Sequence, residues 1–289
     1  MRPNTTSGNG QRNASRYLAG VIAALLVGVN PIHAADDDFA GAVDRDEPSL
    51  SLSINAPANG QVFRGWPMLI RLELWHPRIG NSKAAPLILA AKDGPWSGAV
   101  TLQVTGAGGK AETWPIHLAT TAGKSLTLAA TRGGELIWWL APEETAKIPE
   151  GEFRLLATLD TTRSSTKDAW KGKTASEPLA IQILPLPAAM TPEQQLAGMF
   201  LTANYHLIRK DASRALQAID DVLKRQPANI RGLAFKADLL AAAGKPKEAL
   251  THYQQAIDAY RKTHPRAKEP PVFLLDKQKA LLDKLILDK

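Results

Sequence analysis

A 34-residue step near the end of the chain constrains its fold more than any other feature. Between Pro192 and Tyr260, Ala215 falls on Ala249, Leu216 on Leu250, Ile219 on Tyr253, Val222 on Ala256 and Leu223 on Ile257. Self-similarity at a fixed period of this length means that one supersecondary unit is stacked on a copy of itself. The apolar positions recur at helical spacing, so the unit is a pair of helices. Punctuation residues set the boundaries. Thr191-Pro192-Glu193-Gln194 combines a capping hydroxyl, a proline at the first helical position and an acid facing the helix dipole. The spacing predicts helices over Pro192 to about Arg209, Ala212–Arg225 after an Asp211 cap, Ile230–Ala243 after Pro227 and Asn229, and Lys247–Lys262 after Gly244-Lys245-Pro246. Beyond Pro265, Pro270 and Pro271, a fifth helix is expected over Val272–Leu287, with Leu274, Leu275, Leu281, Leu282, Leu285 and Ile286 on one face.

These residues resemble the tetratricopeptide repeat, a helix-pair module that usually binds other proteins. In the second copy Leu233, Ala237 and Leu240 stand at first-helix core positions, and Gly244 stands in the turn. Ala249, Tyr253 and Ala256 take the second-helix positions, where small residues let helices approach and an aromatic fills the gap. In the first copy Met199, Ala203, Ala215, Ile219, Val222 and Pro227 match. Thr202 and Lys236 stand where the family usually has Leu, and Lys210 replaces the turn glycine. Two copies are fewer than the three usually needed to close such a core, which makes the fifth helix a natural cap.

The resemblance implies a concave groove lined by the first helix of each pair. Mapped here, that groove presents Phe200, Asn204, Leu207, Arg231 and Asp238, with Asn204 placed to bond an extended peptide. The subfamily that clamps a C-terminal carboxylate needs a Lys where Phe200 stands and an Asn where Phe235 stands, so that specificity is not expected. For Phe200 and Leu207, core packing competes evenly with ligand contact.

Upstream, the period changes from helical to two. Leu50, Leu52 and Ile54 alternate with Ser51, Ser53 and Asn55, and Met68, Ile70, Leu72 and Leu74 share one face of a longer strand. Further strands are expected at Leu87–Ala91, Val100–Val104, Trp114–Leu118, Leu126–Leu128, Leu136–Leu140, Phe153–Leu159 and Leu179–Leu184, with Gly106–Gly109 as a hairpin between the fourth and fifth of these nine. Eight or nine short strands with Gly, Pro and Asn turns favour a two-sheet sandwich. Pro142–Pro149 reads as a helical turn crossing between sheets. Together with Gly151 and Phe153 it resembles the late strands of bacterial immunoglobulin-like domains. Thr161–Ser176, rich in Thr, Ser and Lys, reads as an exposed hairpin loop, and Leu184-Pro185-Leu186-Pro187 as a stiff linker.

At the other end, residues 1–35 carry Arg2, Arg12 and Arg16 with no acid, then the apolar run Tyr17–Val29, then Asn30-Pro31 and the small residues Ala34-Ala35. This is the layout of a secretory signal cleaved after Ala34 or Ala35. The run is short of the roughly 20 residues a bilayer span needs. The expected organisation is therefore multidomain α and β. It comprises a signal peptide over 1–35, an acidic tether over 36–48, an all-β immunoglobulin-like sandwich over 49–186, a Pro-rich linker over 187–191, and an all-α repeat domain over 192–289. The expected location is periplasmic or secreted, with no transmembrane span after cleavage. The chain has no cysteine, which excludes a disulfide framework and a Cys-linked lipid anchor.

Net charge is +7, of which residues 191–289 carry +6. Lys and Arg there are interleaved with acids rather than clustered, so no nucleic-acid partner is expected. The six His show no metal-ligand spacing, and no nucleophile elbow, phosphate loop or dinucleotide fingerprint is present. No catalytic residue, metal or cofactor is assigned. The reading is an exported non-enzymatic adaptor for a protein or peptide. A second reading is a cell-envelope glycan binder using Trp66, Trp75, Trp96, Trp114, Trp138, Trp139 and Trp170, since exposed Trp can stack on sugars. A hydrolase with an interdomain site is the third.

Overall fold

In the computed structural model, the described residues are 47–287, apart from 56–59, 79, 82, 120–122 and 268. The signal-like segment, its cleavage site and nearly all of the acidic tether lie outside them. The chain divides into two compact units, with the boundary between Met190 and Thr191. Among the described residues there are twelve strands, all in the first unit, and six α-helices, of which five form the second. No described helix is long and apolar enough to cross a membrane.

The strands are β1 (Ser49–Asn55), β2 (Gln61–Phe63), β3 (Met68–Trp75), β4 (Leu87–Ala90), β5 (Val100–Thr105), β6 (Ala111–Glu112), β7 (His117–Leu118), β8 (Ser125–Leu128), β9 (Gly134–Leu140), β10 (Gly151–Asp160), β11 (Lys173–Ala175) and β12 (Leu179–Leu184). One sheet has the order β1-β3-β9-β7. The other has the order β2-β12-β10-β5-β6, with β11 also on β10, and β4 and β8 form a separate ribbon. The alternation in β3 sends Met68, Ile70, Leu72 and Leu74 inward at 0% exposure. They meet Phe153, Leu155, Ala157 and Leu159 of β10 and Ile181 and Ile183 of β12 in one core. The two sheets therefore pack face to face.

Three local expectations are corrected. The Gly106–Gly109 turn pairs β5 with the short β6, not with the Trp114–Leu118 segment. That segment contributes only His117–Leu118, which crosses to β9 in the other sheet. The Thr161–Ser176 loop is not simply exposed. Thr161, Ser164 and Ser176 are buried, and Thr161 Oγ1 donates to the Trp170 carbonyl at 2.7 Å, so hydroxyl groups satisfy backbone that would otherwise need water. The crossing between β9 and β10 is the short helix α1 (Pro142–Thr145), as the Pro-bounded segment implies.

The second unit is a series of antiparallel neighbours: α2 (Pro192–Ile208), α3 (Ala212–Arg225), α4 (Ile230–Ala242), α5 (Pro246–Thr263) and α6 (Val272–Leu287). The caps explain the boundaries. Thr191 and Gln194 satisfy one another's backbone N–H reciprocally, at 2.9 and 3.2 Å. Asp211 accepts from the Arg214 N–H at 3.1 Å, and Asn229 from the Gly232 N–H at 2.8 Å.

Candidate functional site

The repeat positions take up equivalent places in the two helix pairs. Ala203, Ala215, Ile219, Ala237, Ala249 and Ala256 are all at 0% exposure, and Tyr253 at 3%. Ala203, Ala215, Ile219 and Val222 pack with Phe200, Leu207, Phe235 and Leu239 in one cluster. Ala237, Ala249, Tyr253 and Ala256 pack with Leu274 and Leu281 of α6 in the next. Alanine at these contacts leaves room for closely approaching helices, and α6 covers the second pair as a third first-helix would.

The turns show the cost of the one departure. Gly244 sits at φ 75° between α4 and α5. Its equivalent, Lys210, adopts φ 63° between α2 and α3, a left-handed backbone that a side chain disfavours. The other departures find partners. Lys236 pairs with Asp220 of α3 at 2.8 Å, over a shallow open depression lined by Ser213, Leu216, Gln217 and Leu223. Thr202 Oγ1 turns back to the Gly198 carbonyl at 2.8 Å.

The five residues assigned to a groove do not line an open surface. Phe200, Asn204, Leu207 and Asp238 are 5%, 2%, 2% and 2% exposed, so four of the five are packed, and Arg231 alone reaches solvent. Apolar side chains on a first helix serve core and ligand equally well, and here Phe200 and Leu207 serve core. Arg231 lies over the Phe200 ring, 4.6 Å from its centroid. The Asn204 amide donates to the Phe200 carbonyl one turn back at 3.0 Å, which uses a donor that peptide binding would need.

Asn204 and Asp238 are one repeat apart and are satisfied differently. Asp238 accepts from the Tyr253 hydroxyl at Oδ1, whereas the first-copy equivalent of Tyr253 is Ile219, which has no hydroxyl to offer. Lys277 of α6 donates to Asp238 Oδ2 at 2.7 Å. Burial pushes the Asp238 carboxyl up, and Lys277 and Tyr253 draw it back only in part. Burial, with the Asp238 charge beside it, drives the Tyr253 phenol well above its ordinary value. The Tyr253 phenol is thus held as a donor, and with the Lys277 ammonium it makes Asp238 the centre of a polar tie through three helices. Pairing between residues 39 apart on different helices has no sequence signature.

In the β unit the Trp residues do not form an exposed row. Trp66, Trp96 and Trp138 are 8%, 3% and 8% exposed, and Trp114 and Trp170 pack against the core. Trp139 points to the opposite face from Trp138 and stacks on His117 at 4.3 Å. Only Trp75, at 36%, is exposed, and its ring lies along Gly133, where a Cβ would come within 2.9 Å of it. His117 also bonds Glu144 at 2.7 Å, and the other Glu144 oxygen accepts from the Ala141 N–H at 2.7 Å. Across β3 and β9, Arg71 pairs with Glu73 at 3.2 Å and Glu135 at 3.5 Å. Among the described residues no group of His, Asp and Glu is placed to hold a metal ion.

No protein-family model matches the chain. A stretch of 67 residues is 28% identical to the DnaJ homolog subfamily C member 7 homolog of Schizosaccharomyces pombe, covering 23% of this chain and 14% of that protein. The match therefore spans about a seventh of that protein's length. Among solved structures, a family 123 glycoside hydrolase from Clostridium perfringens is similar over 64% of this chain and 36% of its own, at 11% identity. Its TM-score of 0.24 is too low to establish a shared fold.

Proposed function

We propose that this chain is an exported, non-enzymatic adaptor whose helical unit engages a protein or peptide. The observation that carries this reading is the repeated helix pair. Two copies at a 34-residue step place Ala215 and Ala249 at equivalent fully buried contacts, and α6 closes the second pair. Stacked helix pairs of this kind build extended surfaces for other chains. The partial likeness to the DnaJ homolog agrees with that class. Export rests on the basic, apolar, small-residue order of residues 1–35. The groove set has no part in this reading, because four of its five residues are occupied in packing.

The β unit is read as an immunoglobulin-like module that serves as spacer or second contact surface. Support comes from strand order: β1-β3-β9-β7 opposite β12-β10-β5 parallels the ABED and GFC sheets of that class. Glycan stacking is not favoured, since five of the seven Trp pack in or against the core.

Co-purification from a cell-envelope fraction tests the adaptor reading. The expected result is a partner held by the full chain and lost when residues 192–289 are deleted. Retention of every partner by the deleted form overturns it. Fractionation of tagged full-length chain checks export: recovery solely in the cytosol, uncleaved, counts against it.

A further inference from the structure

Capping helices of stacked repeats ordinarily turn a polar face away from the stack. Helix α6 departs from this. Its inner face packs Leu274 at 0% and Leu281 at 8% exposure against the second helix pair. Roughly 120° further round, at 3.6 residues per turn, lies a second apolar line. Val272, Leu275, Lys279, Leu282 and Ile286 follow one another at steps of three, four, three and four, the heptad spacing of a two-helix seam. Val272 is 66% exposed, Leu282 44% and Ile286 69%, while Leu275 is half-buried and also packs against the inner cluster. Asp276 and Asp283 run along one edge of this line, both exposed.

Lys279 interrupts the seam at its centre and is exposed. A single charged residue at such a position specifies its partner at a cost in stability. Any two-fold pairing of α6 with a second copy that uses the whole seam sets Lys279 against the partner's Lys279. Like charges in contact disfavour that arrangement. The complementary occupant carries an acid opposite Lys279 and basic residues opposite Asp276 and Asp283.

We propose that the outer seam of α6 is a docking surface for an amphipathic helix of another protein. That helix has a 3-4 apolar line, one central Asp or Glu, and a Lys/Arg-bearing flank. The proposal rests on the adaptor reading and names the face the adaptor uses.

The test is fluorescence anisotropy with the full chain and a synthetic three-heptad peptide. The peptide carries Leu at the seam, Glu at its centre and Lys on one flank. Saturable binding is expected. Lys279→Glu is expected to weaken it about tenfold, and a peptide with Lys in place of the central Glu is expected to bind the Lys279→Glu chain better than wild type. Ile286→Asp is expected to abolish binding of both peptides. Circular dichroism on each variant shows that the helices persist, as the exposure of both positions predicts. Absence of saturable binding, or equal affinity of wild type and Lys279→Glu for the Glu peptide, overturns the proposal. So does a dimer of the free chain that Ile286→Asp converts to monomer, because a second copy is then the occupant. Loss of envelope partners on deleting 192–289, combined with a silent peptide titration, sinks the seam and leaves the adaptor reading standing.

Discussion

Lys277 Nζ donates to Asp238 Oδ2 across 2.7 Å, and so ties α6 to α4 through a carboxylate that is 2% exposed. A buried ion pair adds little net stability compared with apolar residues of the same volume, but breaking it from one side is costly. Lys277→Met leaves Asp238 with Tyr253 as its remaining partner among these three. The variant is expected to lose about 3 kcal/mol at neutral pH, measured by urea unfolding followed through helical ellipticity. The sign with pH is set by burial, which raises the Asp238 carboxyl above its ordinary value. A raised carboxyl costs stability while ionised and stops doing so as pH falls through its folded value, so the deficit narrows in acid. Lys277→Met combined with Asp238→Asn should recover much of the loss. A double variant no better than the single one would show that the tie is incidental.

The turn between α2 and α3 predicts a gain. Lys210 holds φ 63° at the place where the second copy uses Gly244 at φ 75°. Relief of the left-handed penalty is worth roughly 1–2 kcal/mol, less the extra chain entropy that glycine loses on folding, up to about 1 kcal/mol. Lys210→Gly is therefore expected to raise stability by about 0.5–1 kcal/mol. The reciprocal Gly244→Ala should lower it by a similar amount. Thermal melts of both variants check the pair, and a loss in Lys210→Gly would show that the lysine side chain matters more than the backbone.

At the edge of the sandwich, Glu144 joins strand to helix. It accepts from His117 of β7 and from the Ala141 N–H at the start of α1. Burial works to raise its carboxyl, but the His117 bond and the Ala141 N–H outweigh it and hold the group below the ordinary value. A lowered carboxyl contributes stability above the unfolded-state value and loses it as pH falls through the folded one. Glu144→Ala is expected to cost about 1 kcal/mol at pH 7 and progressively less below the ordinary carboxylate range. Denaturant midpoints of wild type and variant across that range provide the check.

Helix ends were legible because their capping residues are local: Thr191, Asp211 and Asn229 each satisfy an N–H within three residues. Long strands were legible because burial on one face forces alternation, as in β3. The strands β2, β6 and β11 were not, since two or three residues carry no period. The core of the repeat was readable from small residues at a fixed step. The packing of Phe200 and Leu207 was not, because the apolar pattern that places them on a first helix is the same for a groove and for a core. The seam of α6 was partly visible as leucines on the fifth helix. Which of them face inward depends on contacts with α5 that no local pattern records.

The outer face of the β1-β3-β9-β7 sheet yields a prediction of the opposite sign to Glu144. Glu73 and Glu135 are cross-strand neighbours, and Arg71 reaches both. Burial raises the Glu135 carboxyl; Arg71 pulls it down and the Glu73 charge pushes it up again. Because the folded value lies above the unfolded one, ionised Glu135 is a net cost at neutral pH that lifts as pH falls through that value. Glu135→Gln, which keeps size and an acceptor for Arg71, is expected to match or exceed wild-type stability at pH 7. The difference should close in acid, where the wild-type carboxyl becomes neutral as well. Arg71→Met is expected to cost about 3 kcal/mol, since it removes the cation that holds two carboxylates together. Melting curves at pH 7 and in acid distinguish these effects. A Glu135→Gln variant much less stable at pH 7 would mean that the Arg71 pair outweighs the burial of the charge.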